Sequence, residues 1–182
     1  MSENQKLSIE LKAISTDEPG TFQGALSTYG NVDLTGEACQ QGCFTKSLKE
    51  NGGTVPLFLN HDHTQQVGVL KLTDTPVALA AKGKLNLDIP AARDAYSNLL
   101  FNQKHGVKSA LSIGFRTVKH KMEGTVRHLI ELAVKEGSLT LFPANEQALV
   151  NAVKSAENAL REQRISALFQ EAKRAFQWKP LH

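Results

Sequence analysis

Apolar and polar residues alternate along much of the first 140 positions, the period of strands buried on one face. Leu7 to Ala13 reads as the first such strand, and Thr21 to Ser27 and Val55 to Leu59 as further ones. Val67 to Leu72 and Val77 to Leu87 follow, divided by a turn at Asp74-Thr75-Pro76. Ala110 to Lys121 and Val126 to Lys135 flank Glu123-Gly124 and predict a hairpin. Ser138 to Phe142 is the last short strand.

Three stretches carry a helical period instead. Phe44 to Glu50 predicts a short helix, stopped by Asn51-Gly52-Gly53. Pro90 suits the first turn of a second helix. Its Ala92, Tyr96, Leu99 and Leu100 share one face until Gly106 ends it. In the third and longest, Asn145 serves as cap, and Leu149, Val153, Ala156, Leu160, Leu168, Ala172 and Phe176 recur at steps of three to four. Many short strands with few helices predict an α+β fold that is mainly β: an antiparallel β-barrel ringed by helices. The boundary falls at Pro143-Ala144-Asn145, dividing a β-rich body, residues 1–145, from a helical segment, residues 146–182.

With 41% hydrophobic and 21% charged residues among 182, the composition is that of a globular domain with a tail, not a disordered chain. No apolar run approaches the length of a membrane span. The start lacks a basic region followed by an apolar one, so a cytoplasmic protein is expected. The net charge of +3 sits in the tail. Residues 151–182 hold six Lys/Arg against three Glu, which leaves the first 150 neutral. A tail that offers only Phe169, Phe176 and Trp178 as aromatic residues does not predict specific nucleic-acid binding. Cys39 and Cys43 are too few for a zinc site, and a reducing cytoplasm disfavours their disulfide. They read as small, partly buried residues.

Candidate chemistry lies in three separated stretches: Leu59-Asn60-His61-Asp62-His63, Leu111-Ser112-Ile113-Gly114-Phe115 and Glu136-Gly137-Ser138-Leu139. They offer a general base, a hydroxyl nucleophile and a carboxylate, the parts that acyl transfer to serine needs. His61 follows an apolar run and so stands at a strand end, a rigid place for a base. Ser112 lies in an apolar stretch without a G-x-S-x-G elbow, and Gly114 admits a close neighbour. Glu136 follows the strand Leu129 to Val134, with Glu131 as its rival. His61 and His63 with Asp62 also suit a metal, for which His105, His120 and His128 are further, unpatterned ligands. From the residues alone, triad, metal site and plain structural roles all stay open.

The order His, Ser, Glu, together with the spacing, resembles the prohead (capsid maturation) proteases of tailed bacteriophages, serine peptidases similar to herpesvirus assemblins. Four segments carry the resemblance: Phe22-Gln-Gly-Ala through Tyr29-Gly-Asn-Val-Asp33 to Gly42-Cys-Phe-Thr-Lys-Ser-Leu48; Leu57-Phe-Leu-Asn-His61-Asp with Val67-Gly68; Leu111 to Phe115; and Glu136 to Asn145. It implies His61 as base, Ser112 as nucleophile and Glu136 as the acidic third member, with no cofactor or metal. The implied fold is a herpesvirus-protease-like barrel. The implied substrates are the scaffold segment of the major capsid protein and the protease itself, met inside the viral procapsid in the host cytoplasm. A homodimer is a further partner, and no membrane is involved. A non-catalytic capsid-assembly or scaffold-binding module is the alternative, as is a metal-dependent hydrolase on His61/His63. The helical segment is read as a docking, packaging or dimer contact, or as packed on the barrel. Gly137 stands where the resemblance leads one to expect a β-branched residue, and Cys43 where it leads one to expect alanine. Backbone amides near Gly114 or after Glu136 are the expected oxyanion donors.

Overall fold

The computed structural model describes residues 18–153, 165 and 167–173. The expected strand at Leu7 to Ala13 and the helix positions Ala156, Leu160 and Phe176 lie outside them. In chain order the elements are β1 (Thr21–Thr28), β2 (Glu37–Cys39), α1 (Thr45–Glu50), β3 (Thr54–Leu59), β4 (Asp62–Asp74), β5 (Ala78–Leu85), α2 (Pro90–His105), β6 (Ala110–Glu123), β7 (Val126–Thr140) and β8 (Val150–Val153). α2 begins with Pro90 in its first turn and closes on Gly106 in the left-handed conformation, as the sequence predicts.

The strands form one eight-stranded sheet in the order β2-β7-β3-β4-β5-β1-β8, with β6 also paired to β7. β7 is the hub. One edge carries β6 along almost its whole length, antiparallel. The other edge carries β2 and then β3, both parallel. These two pairings correct the expected antiparallel barrel: the sheet is mixed, and it is a curled half-barrel rather than a closed one. Residues 148–150 bridge its far ends. Leu149 O accepts from Ala25 N (3.0 Å), Leu111 N donates to Ala148 O (2.8 Å) and Val150 N donates to Ser109 O (2.9 Å).

β8 corrects the reading of the residues after Asn145 as the start of the third helix. Val150 to Val153 pair with β1, beyond the expected boundary at 145. An apolar step of three to four also suits a short strand end when a free sheet edge is nearby. Asn145 is not a helix cap. Its Nδ2 donates to Thr28 Oγ1 (3.0 Å) and its Oδ1 accepts from Asn31 Nδ2 (3.1 Å), which ties the 141–149 loop to the end of β1. Residues 167–173 are helical, with Leu168 and Phe169 exposed.

The core fills the concave side of the sheet with Phe22, Leu26, Phe44, Leu57, Leu70 and Leu111, all fully buried or nearly so. Each such side chain contributes about 1.5–3 kcal/mol by leaving water. Gly137 is part of this packing. A Cβ there would lie 2.3 Å from Leu70 Cδ1 and 3.0 Å from Leu26 Cδ1. The glycine therefore does not loosen the strand, as its identity suggests. It lets β7 pass close over two leucines, and β7 runs unbroken from Val126 to Thr140 where the sequence predicts two strands. α1 is fastened to β7 by Val134 N, which donates to Ser47 Oγ (2.9 Å).

Candidate active site

β3 and β4 form a hairpin closed by two residues, Asn60 and His61, between the paired Leu59 and Asp62. Both central residues have left-handed backbone, φ 49° and 60°. This is the conformation of a tight hairpin turn that matches strand twist, a place usually given to Asn-Gly. His61 therefore sits in a turn, not at a strand end, in a backbone conformation uncommon for a side chain of its size. β7 holds the turn there. Asn60 N donates to Leu139 O (3.0 Å) and His61 N donates to Ser138 Oγ (3.1 Å).

Side chains alternate across a strand, so Glu136 and Ser138 share one face of β7 and Gly137 and Leu139 the other. The imidazole Nδ1 of His61 lies 2.6 Å from Glu136 Oε1. Ser138 Oγ donates to the other carboxylate oxygen at 2.9 Å. Ser138 thus bridges the turn's backbone and the carboxylate. Glu136 is buried, with 4% of its side chain exposed, while 42% of the His61 side chain is open to solvent. The carboxylate is shielded and the ring is accessible. Ser138 was not singled out by the sequence; its only signal is its place two residues from Glu136, on the same face of a strand.

Across the sheet, Gly114 of β6 faces Glu136 and Ser112 faces Ser138. The carboxylate lies over the glycine: a Cβ at Gly114 would be 2.0 Å from Glu136 Oε1. Ser112 is half-buried, two residues along the same strand. It lines a cavity of about 210 Å³ with Leu26, Leu111, Leu129, Asp33 and Cys39 among its other walls.

The other candidates are engaged elsewhere. Glu131 pairs with Lys46 and Lys119, each at 3.0 Å. Asp62 caps its own turn, accepting from Thr64 and Gln65, and these bonds hold its carboxyl below the usual range. His63 packs at a tilt against Phe58, ring centres 5.2 Å apart and planes 54° from parallel. Cys39 and Cys43 lie in mutual hydrogen-bonding contact. That bond lowers the Cys39 thiol's pKa and, together with burial, raises that of Cys43.

Among the described residues, no helix is long and apolar enough to cross a membrane. The fold resembles the crystal structure of KSHV protease in complex with a hexapeptide phosphonate inhibitor, with a TM-score of 0.50. The two are 15% identical, and the match covers 81% of this chain and 77% of that one. At such identity the likeness speaks for the fold alone. The prohead protease of Enterobacteria phage HK97 is 30% identical over 155 residues, 81% of this chain and 66% of the phage protein. The chain therefore spans just under two thirds of that relative's length. Residues 7–163 match the model of a family described as caudovirus prohead serine protease. With a match over most of its length, the chain belongs to the caudovirus prohead serine protease family.

Proposed function

We propose that the protein is a capsid-maturation serine endopeptidase in which Ser112 is the nucleophile, His61 the general base and Glu136 the residue that orients His61. One observation carries this reading: the 2.6 Å contact between His61 Nδ1 and a buried carboxylate that leans over the strand bearing Ser112. Ser138 Oγ–H donates to Glu136 Oε2, so this carboxylate acts as an acceptor. Ionised, it accepts at both oxygens, Nδ1 keeps its proton, and Nε2 is left to accept one. That is the tautomer a base needs in order to take the proton of a serine hydroxyl.

In the reaction, Ser112 Oγ attacks the peptide carbonyl as its proton moves to His61. The imidazolium is stabilised by Glu136 and returns the proton to the leaving amine. Water then repeats the sequence on the acyl-enzyme. Backbone amides near Gly114 or after Glu136 stabilise the oxyanion, a contribution of about 3–4 kcal/mol where one donor has been removed in other enzymes.

The substrates are the scaffold segment of the major capsid protein and the protease itself, inside the viral procapsid in the host cytoplasm. Confinement there raises the effective concentration of enzyme and substrate without any new contact. The body with its half-barrel performs the cleavage. The helical segment, within 146–182, serves as its docking contact to the capsid scaffold or to a second copy. Leu168 and Phe169 leave an apolar face free for that role among the described residues. The test is co-expression of the chain with its capsid protein, read by intact mass. Wild type trims both proteins and Ser112→Ala trims neither. Trimming by Ser112→Ala at the wild-type rate refutes the assignment.

A further inference from the structure

Strand alternation gives β6 two unlike faces. Leu111 is buried in the core, and Ile113 and Phe115 pack against it. Ser112, Gly114 and Arg116 lie on the other face, the one over which the Glu136 carboxylate leans. Arg116 therefore shares the active-site face. Four residues at about 3.3 Å each put it roughly 13 Å from Ser112 along the strand. It is exposed, and Ala133 opposite it offers no charge. β7 is irregular at the same level. Gly114 pairs with Glu136 and Phe115 with Val134, which leaves Lys135 as an extra residue without a partner on β6. A bulge of this kind re-aims a side chain. Lys135 is exposed, between buried Val134 and buried Glu136. The other cations of the β6–β7 hairpin are matched: Lys119 with Glu131, Lys121 with Glu123 and Arg127 with Glu37. Arg116 and Lys135 have no carboxylate at ion-pair distance among the described residues. Glu136, beside Lys135 in the chain, is taken up by His61 and Ser138.

We propose, resting on the reading of Ser112 as nucleophile, that Arg116 and Lys135 recognise an aspartate or glutamate side chain of the peptide substrate and so help to select the bond that is cut. An extended peptide rises at the same rate per residue as β6. With its reacting carbonyl at Ser112, the residue about four places away, on the side where the chain runs towards Arg116, comes level with the guanidinium. The length of the Arg116 and Lys135 side chains widens this to about three to five places. Two cations without an anion of their own favour a carboxylate there, and the guanidinium can grip both of its oxygens. Binding energy gathered at this distance from the reacting atoms holds the carbonyl against the serine.

The test is a peptide library made by digesting a bacterial lysate with chymotrypsin, which leaves lysine, aspartate and glutamate inside the peptides. Mass spectrometry reads the residues on both sides of every new cut. Wild type should show Asp and Glu enriched at one place, about three to five residues from the cut, by about threefold to tenfold over the library, the scale of one or two exposed ion pairs. The enrichment should shrink in high salt. Arg116→Glu combined with Lys135→Glu should move the preference at that place to Lys and Arg, while cutting continues. Should that variant not fold, Arg116→Gln with Lys135→Gln should lose the enrichment. Ser112→Ala should cut nothing. Ser112-dependent cuts without acidic enrichment, or with an enrichment that the charge-reversed or neutral variant keeps, overturn the recognition and leave the nucleophile standing. No Ser112-dependent cuts by folded wild type removes the nucleophile and this proposal together.

Discussion

Gly114→Ala puts one methyl group into the space now held by the Glu136 carboxylate. The new Cβ would stand 2.0 Å from Oε1, 2.7 Å from Cδ and 2.8 Å from Cγ. Gly114 is in register with Glu136, so the free end of that side chain yields more cheaply than the paired β6 backbone. The carboxylate must therefore move, from 2.0 Å to the 3.4 Å at which ordinary contact begins. That shift breaks the 2.6 Å contact with His61. A displacement of about 1 Å in a catalytic group costs on the order of 100-fold in rate. Losing the orienting charge altogether costs about 10⁴-fold in the best-studied serine proteases, which sets the ceiling. Stability changes less. The lost charged hydrogen bond costs about 1.5–3 kcal/mol, offset by about 0.5–1 kcal/mol from replacing a strand glycine. The assay is kcat/KM for a cleavable peptide beside a urea melt, for Gly114→Ala and Glu136→Ala, alone and combined. If the methyl acts only by pushing the carboxylate, it changes the rate less than about twofold once Glu136 is alanine. A Gly114→Ala enzyme within threefold of wild type refutes the reasoning.

Three further outcomes follow from the same geometry. Ser138→Ala leaves Glu136 Oε2 and the His61 amide without their shared partner, and urea melts should show a loss of about 1–3 kcal/mol together with slower cleavage. Gly137→Val drives a side chain into Leu70 and Leu26 and should lower stability by at least about 1–3 kcal/mol, so an unchanged melting curve counts against the packing described. Cys39 should be alkylated by iodoacetamide before Cys43, with a midpoint below that of an ordinary thiol, because the bond from Cys43 favours the Cys39 thiolate; peptide mapping across pH that finds equal labelling contradicts it.

Much of the fold is legible in the sequence where local chemistry decides it. The β6–β7 hairpin at Glu123-Gly124 and α2, between Pro90 and Gly106, each follow from residues within one turn of the boundary. What distant parts of the chain decide is not legible. β2 has three residues, too few to show a period, and exists because β7 offers it an edge. β8 shares its apolar spacing with a helix and is a strand because β1 has a free edge. β7 reads as two strands because Glu136 and Gly137 interrupt its apolar pattern. One is polar to meet His61, and the other is bare to clear Leu70. The same interruption hides Ser138. The structure brings His61 and Glu136 together and sets Ser112 on the neighbouring strand, while the left-handed turn that delivers the imidazole is only half signalled: Asn60 suits its first position and His61 stands where glycine is usual.

The pairings of β7 bear on the order of events during synthesis. The imidazole and its carboxylate are 75 positions apart in the chain, and the turn's anchoring hydroxyl is 77 from His61. Contacts of such range form late, after the cost of closing large loops has been met. A ribosome that has delivered the hairpin of β3 and β4 has made the His61 turn without the residues that anchor it. Only release of β7 through position 138 lets the imidazole meet its carboxylate, so on the proposed reading a nascent chain is inert towards the host's proteins.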